Sequence, residues 1–438
     1  MAYEFAHEIP DFRDSINCLS FSPSGKLLAV GCDDGLLAVV DHLTNETICR
    51  LVGQTSVTAV LWHPTLQDTV IIGYSNGTVL LHCLESTNVG DPKSLGMLGP
   101  VECFAVDQEH NFLGIICGES VIVCKIPTQN AVIDTIRCIP SPDFPPVEEG
   151  DELAPRSMHF TQFDTKSAVI VSYLNHGVMC WDIKTGKANW ALDTKTRIGR
   201  SALSSDGQTL VINNLFNGFD CFNLANFTLQ HTYRLSDEEN VPLPVLFVHD
   251  DFNVLLGSSS GRVQLASSTS PAIINVLQHP GEIIQSIAYG LLSGQSYIAT
   301  GTAEGGYDTT VRIWRSRSAY RPYVTSIARA AVSSRLLRKL KSAPLHIVLA
   351  TCGILIISLG AVHSHRDAAR DAAHACVRSL KVWATQLAQA PASLYVAFVG
   401  VASGFLHQLG GLMTACLLEL AAFLGFLQRV LQSVAQLE

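Results

Sequence analysis

Through residue 316 one pattern recurs seven times: an apolar run, a tight turn rich in Gly, Asn, Asp or Ser, then a second apolar run. It reads LLAVGCDDGLLAVVD, VIIGYSNGTVLLHC, LGIICGESVIVCKI, VIVSYLNHGVMCWD, LVINNLFNGFDCFN, VLLGSSSGRVQLAS and YIATGTAEGGYDTTVRIW. With Gly35, Gly77, Glu119, Gly177, Gly218, Gly261 and Gly306 as turn anchors, the spacings are 42, 42, 58, 41, 43 and 45 residues. The one long interval holds a Pro-rich insert, IPSPDFPPVEEGDELAP. A period of this kind dictates the architecture before any single motif does. One unit cannot bury its apolar face alone, so neighbours must stack.

Each unit carries an earlier strand-like run (INCLSFSP, VTAVLWHP, VECFAVDQ) and most carry a later one (TICRLVG, ANWALDT, LQHTYRLS). Four short strands in about 42 residues make a propeller blade; the rungs of a β-solenoid are shorter. The expected fold is an all-β seven-bladed β-propeller over residues 1–316, followed by an α-helical C-terminal region with one or two candidate transmembrane helices. The seventh unit lacks its fourth strand, and the N-terminal AYEFAHEI is expected to supply it. One blade built from both chain ends would close the ring and leave no free edge there.

These units resemble the WD-repeat β-propeller family. The dipeptide itself stands at Trp181-Asp182, a Trp-Arg variant begins at Trp314, and FSPSGKLLAVGCDDG is similar to the family's second-strand signature. The resemblance covers residues 1–316 and implies a fold more than a function. One departure is visible. No repeat has the Gly-His dipeptide with which many members tie their outer strands; the corresponding sites read Gly53-Gln54 and Gly99-Pro100. The blades are therefore expected to lean on apolar packing.

Charge divides the chain. Residues 1–311 hold 34 acidic and 15 basic side chains, the remainder 4 and 14. An acidic body argues against nucleic-acid binding, which needs cationic surface to displace phosphate counterions. Thirteen cysteines are spread singly with no CxxC pair, which reads as buried free thiols in a reducing compartment. The start, MAYEFAHEIPDFRD, has neither a basic n-region nor an apolar core, so no cleaved secretion signal is expected. His7, His42, His63, His110, His159, His176, His249 and His279 lack zinc spacing, and Asp33-Asp34 reads as a turn. No catalytic residue, cofactor, metal or small-molecule substrate is expected.

In a propeller of this strand order, the turn after each second strand and the connection from each fourth strand share one face, the top. Candidate partner-binding residues there are Asp33, Asp34, Asn76, Asn175, Asn217 and Asp308. The insert adds Asp143, Glu148, Glu149, Asp151 and Glu152, and the connection SDEENVP adds Asp237, Glu238 and Glu239. Prolines 140, 142, 145, 146 and 155 favour extended conformers in the insert. An acidic top face would suit partners with basic surfaces, but a solvated loop that merely keeps the domain soluble is the better account of the insert itself.

The C-terminal region divides into a basic linker (317–343), a transmembrane candidate (344–362), an amphipathic helical segment (363–390), a weaker transmembrane candidate (391–418) and an amphipathic terminal helix (419–438). Pro344 to Val362 carries no Asp, Glu, Lys or Arg; as a helix it would reach about 28 Å, close to the hydrocarbon thickness of a bilayer. Arg335, Arg338, Lys339 and Lys341 precede it, a membrane-proximal basic flank expected on the cytosolic side. A soluble helical bundle built from the same segments is the rival. The sequence reading is thus a membrane-anchored, non-catalytic scaffold for protein interaction at an intracellular membrane, its propeller in the cytosol. The alternatives are a guanine-nucleotide exchange factor of the membrane-anchored propeller type, whose Gly-rich ion-binding loop has no counterpart here, and a soluble propeller oligomerised by its helical tail.

Overall fold

The computed structural model describes residues 2–317 apart from 86–92, 95–98, 129–132, 143–152, 236–238, 280–282 and 304–308, with backbone alone at 93–94. The linker, both transmembrane candidates and both amphipathic segments lie outside the described residues. Among those described, no helix is long and apolar enough to cross a membrane.

Alternating runs bounded by turn residues form 28 strands in seven four-stranded antiparallel sheets among the described residues. Strand β1 (Tyr3–Ile9) comes first. Blade 1 follows with β2 (Ile16–Phe21), β3 (Leu27–Cys32), β4 (Leu36–Asp41) and β5 (Glu46–Val52). Blade 2 has β6 (Val57–Trp62), β7 (Thr69–Tyr74), β8 (Thr78–Cys83) and a two-residue β9 (Lys93–Ser94). Blade 3 has β10 (Val101–Asp107), β11 (Phe112–Cys117), β12 (Ser120–Lys125) and β13 (Thr135–Ile139). Blade 4 has β14 (Pro155–Phe163), β15 (Lys166–Tyr173), β16 (Gly177–Asp182) and β17 (Ala188–Leu192). Blade 5 has β18 (Ser201–Leu203), β19 (Thr209–Asn213), β20 (Gly218–Asn223) and β21 (Thr228–Arg234). Blade 6 has β22 (Val245–Val248), β23 (Asn253–Leu256), β24 (Arg262–Ser267) and β25 (Ile273–Gln278). Blade 7 has β26 (Ile284–Leu292), β27 (Gln295–Thr302) and β28 (Val311–Ser316), and takes β1 as its outer strand.

The ring closes as the repeat pattern implies. Strand β1 runs antiparallel to β28 from Tyr3 opposite Ser316 to Ile9 opposite Val311. Tyr3 and Ile9 point inward and are buried, while Glu4 and Glu8 reach Arg315 and Arg312 at 2.9 and 2.7 Å. The middle two strands of each blade are the most apolar and the most buried, as in LLAVVD of β4 and TVIIGY of β7. Strands buried on both faces need continuous apolar runs; the outermost, half-exposed strands alternate, as in β5 and β25.

Two devices hold blade to blade. A glycine on the second strand admits the first strand of the next blade. A Cβ on Gly31 would stand 2.5 Å from Val57 Cγ1, one on Gly73 2.5 Å from Val101 Cγ1, and one on Gly301 2.6 Å from Ile16 Cγ2. The second device is a hydrogen-bonded side-chain chain. In blade 7, Trp314 Nε1 donates to Thr300 Oγ1 at 2.9 Å, and His279 Nε2 lies 2.8 Å from the same oxygen. A histidine tie therefore exists despite the absence of Gly-His, because the residue before it here is Gln278. Apolar packing alone is not what holds this blade.

Candidate functional site

Backbone hydrogen bonds sort the loops into two faces. Turns after second strands bond connections from fourth strands: Asp33 N to Ser15 O, Gly53 N to Gly35 O, Gly118 N to Pro100 O, Ile198 N to Leu174 O and His279 N to Gly261 O. On the opposite face, third-strand ends bond the first turn of their own blade, as with Leu84 N to Asp68 O and Leu224 N to Gln208 O. The first group is the top.

Of the six candidate residues that are described, Asp34, Asn76 and Asn217 spend their side-chain oxygens on the turns themselves. Exposed Asp34 accepts from Leu36 N at 3.0 Å, and exposed Asn76 from Thr78 N at 3.1 Å and Thr78 Oγ1 at 2.7 Å. Asn217, half-buried, accepts from Asn214 Nδ2 at 2.9 Å. Asn175 lies in the rim turn but is only 2% exposed, and its carbonyl oxygen accepts from Arg197 Nε at 3.1 Å. Glu239 is exposed, its backbone N–H donating to Ser259 Oγ at 2.6 Å. Asp143, Glu148, Glu149, Asp151, Glu152, Asp237, Glu238 and Asp308 lie outside the described residues, as do Arg335, Arg338, Lys339 and Lys341.

A different set converges on the axis. In five blades the first strand carries a β-bulge at its second residue, at Asn17, Thr58, Glu102, Arg156 and Gln285. A bulge re-aims one side chain off the pleat, and on the innermost strand at its upper end that places the residue at the mouth of the central channel. Arg200 takes the same position in blade 5, where Asn213 N donates to Arg200 O and Gly199 N to Asn213 O. These side chains stitch neighbouring blades: Asn17 Nδ2 donates to Val57 O at 3.1 Å, Thr58 Oγ1 to Val101 O at 2.7 Å and Gln285 Nε2 to Ile16 O at 3.3 Å.

Over blades 3 to 5 the mouth is charged. Glu102 Oε2 lies 3.6 Å from Arg156 Nη1 and 3.4 Å from Arg200 Nη2. Arg200 Nη1 also donates to Arg156 O at 2.7 Å. Blades 3 and 5 flank blade 4, so the contact of Arg200 with Glu102 spans the inner end of blade 4. Burial and the Arg200 charge hold the Arg156 guanidinium below its ordinary pKa; Glu102 opposes this and Arg197 adds to it. Across the ring Asp33 accepts from Asn17 Nδ2 at 3.0 Å. The described part of the top face is therefore two-signed, carboxylate-rich at blade 1 and guanidinium-rich at blades 4 and 5.

The histidines and cysteines serve the framework. His63 Nε2 lies 2.7 Å from Pro127 O, His42 Nε2 3.0 Å from Gly25 O, and His159 Nε2 3.0 Å from Ser201 Oγ. Among the described residues no group of three His, Cys, Asp or Glu is placed to hold a metal. All ten described cysteines are free, and burial pushes the thiols of Cys18 and Cys124 up to about 12, which makes them inert.

Residues 5–65 match the family model for the anaphase-promoting complex subunit 4 WD40 domain, a span that runs from β1 through blade 1 into β6. Together, that match and the seven four-stranded blades closed by both chain ends support the WD-repeat β-propeller family. No curated protein matches the chain. WD-repeat propellers typically serve as platforms for protein interaction.

Proposed function

We propose that this WD-repeat chain is a non-catalytic scaffold, held at an intracellular membrane by residues 344–362 with or without 391–418, with its propeller in the cytosol. The observation that carries the scaffold reading is the ring itself. Its polar side chains are committed to turns and blade ties, while the top face keeps charged groups of both signs at its surface. The acids of the insert and of blade 1 would receive a basic partner surface. The matched family model is named for a subunit of a complex, which agrees with a platform role.

Membrane attachment rests on the charge-free run after the basic linker, and the propeller's last described strand, β28, runs toward the bottom face. Carbonate extraction of membranes from cells making the full chain tests it: retention in the pellet is expected, and release contradicts insertion. Asn45, Asn76 and Asn226 each begin an Asn-X-Thr sequon and are exposed. They should stay unglycosylated, and glycan addition at any of them would put the propeller in the lumen. Replacing the five insert acids with Gln or Asn should remove partners captured by proximity labelling; an unchanged set would sink the docking role of the insert. The exchange-factor reading is separated by nucleotide release from small GTPases.

A further inference from the structure

Three guanidinium groups meet at the channel mouth with a single carboxylate between two of them. Arg156 is 21% exposed at its side chain, Arg200 33% and Glu102 20%, so the cluster sits in a recess. At 3.4 and 3.6 Å the two contacts to Glu102 are long for N–H···O⁻ bonds. Arg156 Nε is buried with no hydrogen-bond partner. An unmet buried donor on a cation is costly, and native proteins seldom carry one without a reason. Arg197, exposed and close enough for its charge to act on Arg156, bonds Asn175 through Nε.

The other described residues at this level of the ring offer no compensation. Asn17, Thr58 and Gln285 are neutral, and Pro244 holds the equivalent place in blade 6. Asp193, on the connection that carries Arg197, is paired with Lys195. Among the described residues, two positive charges of the trio are therefore uncompensated at one point. A single carboxylate would neutralise one of them. A phosphate monoester, with about −1.5 to −2 charges at neutral pH and three acceptor oxygens, matches that charge and can accept from more than one guanidinium.

We infer that the recess formed by Arg156, Arg197 and Arg200 at the top of the channel is a binding site for a phosphorylated serine or threonine on a protein partner. This rests on the scaffold reading and specifies the partner's chemistry. Arg156 and Arg200 clamp the phosphate from blades 4 and 5, Glu102 holds them apart, and Arg197 closes from the rim. The carboxylates at blade 1 then face whatever basic residues flank the phosphosite.

The test uses the full chain in detergent and three fluorescent peptide pools of equal length, degenerate except for a central phosphoserine, glutamate or serine. The phosphoserine pool should bind at least about tenfold more tightly than either of the others, and Arg197→Gln should remove about tenfold of that affinity. Arg197 is exposed and makes one side-chain hydrogen bond, to Asn175, so its replacement should lower the melting temperature by no more than about 2 °C; Arg200→Gln is the second variant. Equal binding of the phosphoserine and glutamate pools would overturn the assignment to phosphate. So would binding that survives both substitutions, or no binding of any pool. Proximity labelling with the Arg197→Gln chain separates this from the scaffold reading: an unchanged partner set with no phosphopeptide binding leaves a scaffold and removes this site.

Discussion

The ring should fail first at Tyr3. Strand β1 is held by backbone pairing, by two exposed ion pairs and by the inward side chains Tyr3 and Ile9. Exposed pairs such as Glu4–Arg315 contribute about 0–1 kcal/mol, so the decisive residue is Tyr3, 5% exposed. Its ring packs with Leu255, Leu265, Ile298 and Trp314, which belong to blades 6 and 7. Its hydroxyl donates to Ser296 Oγ at 2.9 Å and lies 2.7 Å from His249 Nε2. Emptying an aromatic site of this kind costs about 3–5 kcal/mol. At about 2.1 cal/mol/K per residue, a domain of this size has an unfolding entropy near 0.65 kcal/mol/K. Tyr3→Ala should therefore lower the melting temperature by about 6 °C. Tyr3→Phe keeps the ring and loses the hydroxyl contacts, about 1–2 kcal/mol, and should cost about 2–3 °C. Phe5 is half exposed and meets Trp314 edge-on at 5.7 Å; Phe5→Ala should cost less than about 1.5 °C. Near-UV circular dichroism of the full chain during heating reads all three. A Tyr3→Ala melt within a degree of the unmodified chain would refute closure by β1.

Other blade contacts predict graded effects. Gly73→Ala and Gly301→Ala each force a Cβ into the next blade and should lose about 1–3 kcal/mol in urea titrations. Thr300→Val removes the oxygen shared by Trp314 and His279 and should cost about 1–3 kcal/mol, with a change in Trp fluorescence. Burial holds His279 at about 3, against 6.5 for the free side chain. The unfolded chain then binds the extra proton, so stability present above pH 6.5 is lost as pH falls toward 3. The loss from this group is about 2 kcal/mol at pH 5, and His42, His63 and His249, also lowered chiefly by burial, add to it. His279→Gln should flatten the slope of urea-derived stability between pH 7 and 5; an unaltered slope would mean that His279 is not buried neutral.

The period and the strand pattern made the blades legible, because a sheet buried on both faces leaves apolar runs that sequence displays directly. Closure was legible for the same reason, since a missing outer strand at one end matched a spare one at the other. The top-face residues were less so. Asp34 and Asn76 follow the turn chemistry that marked them, but that chemistry consumes the oxygens that a partner would need. Asn175 sits in an equivalent turn and is buried, because Arg197 from the next connection folds over it.

The arginine cluster was missed for a physical reason. Charge counted along the chain gives an acidic body, whereas the field at a channel mouth depends on which residue each innermost strand turns toward the axis. Its signal is present in the repeat once the first strands are aligned: Ile-Asn-Cys, Val-Thr-Ala, Val-Glu-Cys, Pro-Arg-Ser, Gly-Arg-Ser and Ile-Gln-Ser. In each, a polar residue stands before a small one. The small residue is needed because its neighbour on the second strand is often glycine pressed by the next blade, as with Cys18 opposite Gly31 and Ser286 opposite Gly301. The polar residue is the bulge. Because a bulge turns its side chain out of the core, blade packing alone does not dictate which polar residue stands there. The requirement of the ring is a side chain able to stitch one blade to the next, which Asn17, Thr58 and Gln285 meet without charge. Placing Arg at the bulge of blade 4 and at the equivalent position of blade 5, with Arg197 beside them, goes beyond what stitching requires, and it is that excess, met among the described residues by Glu102, which underlies the inferred phosphate site.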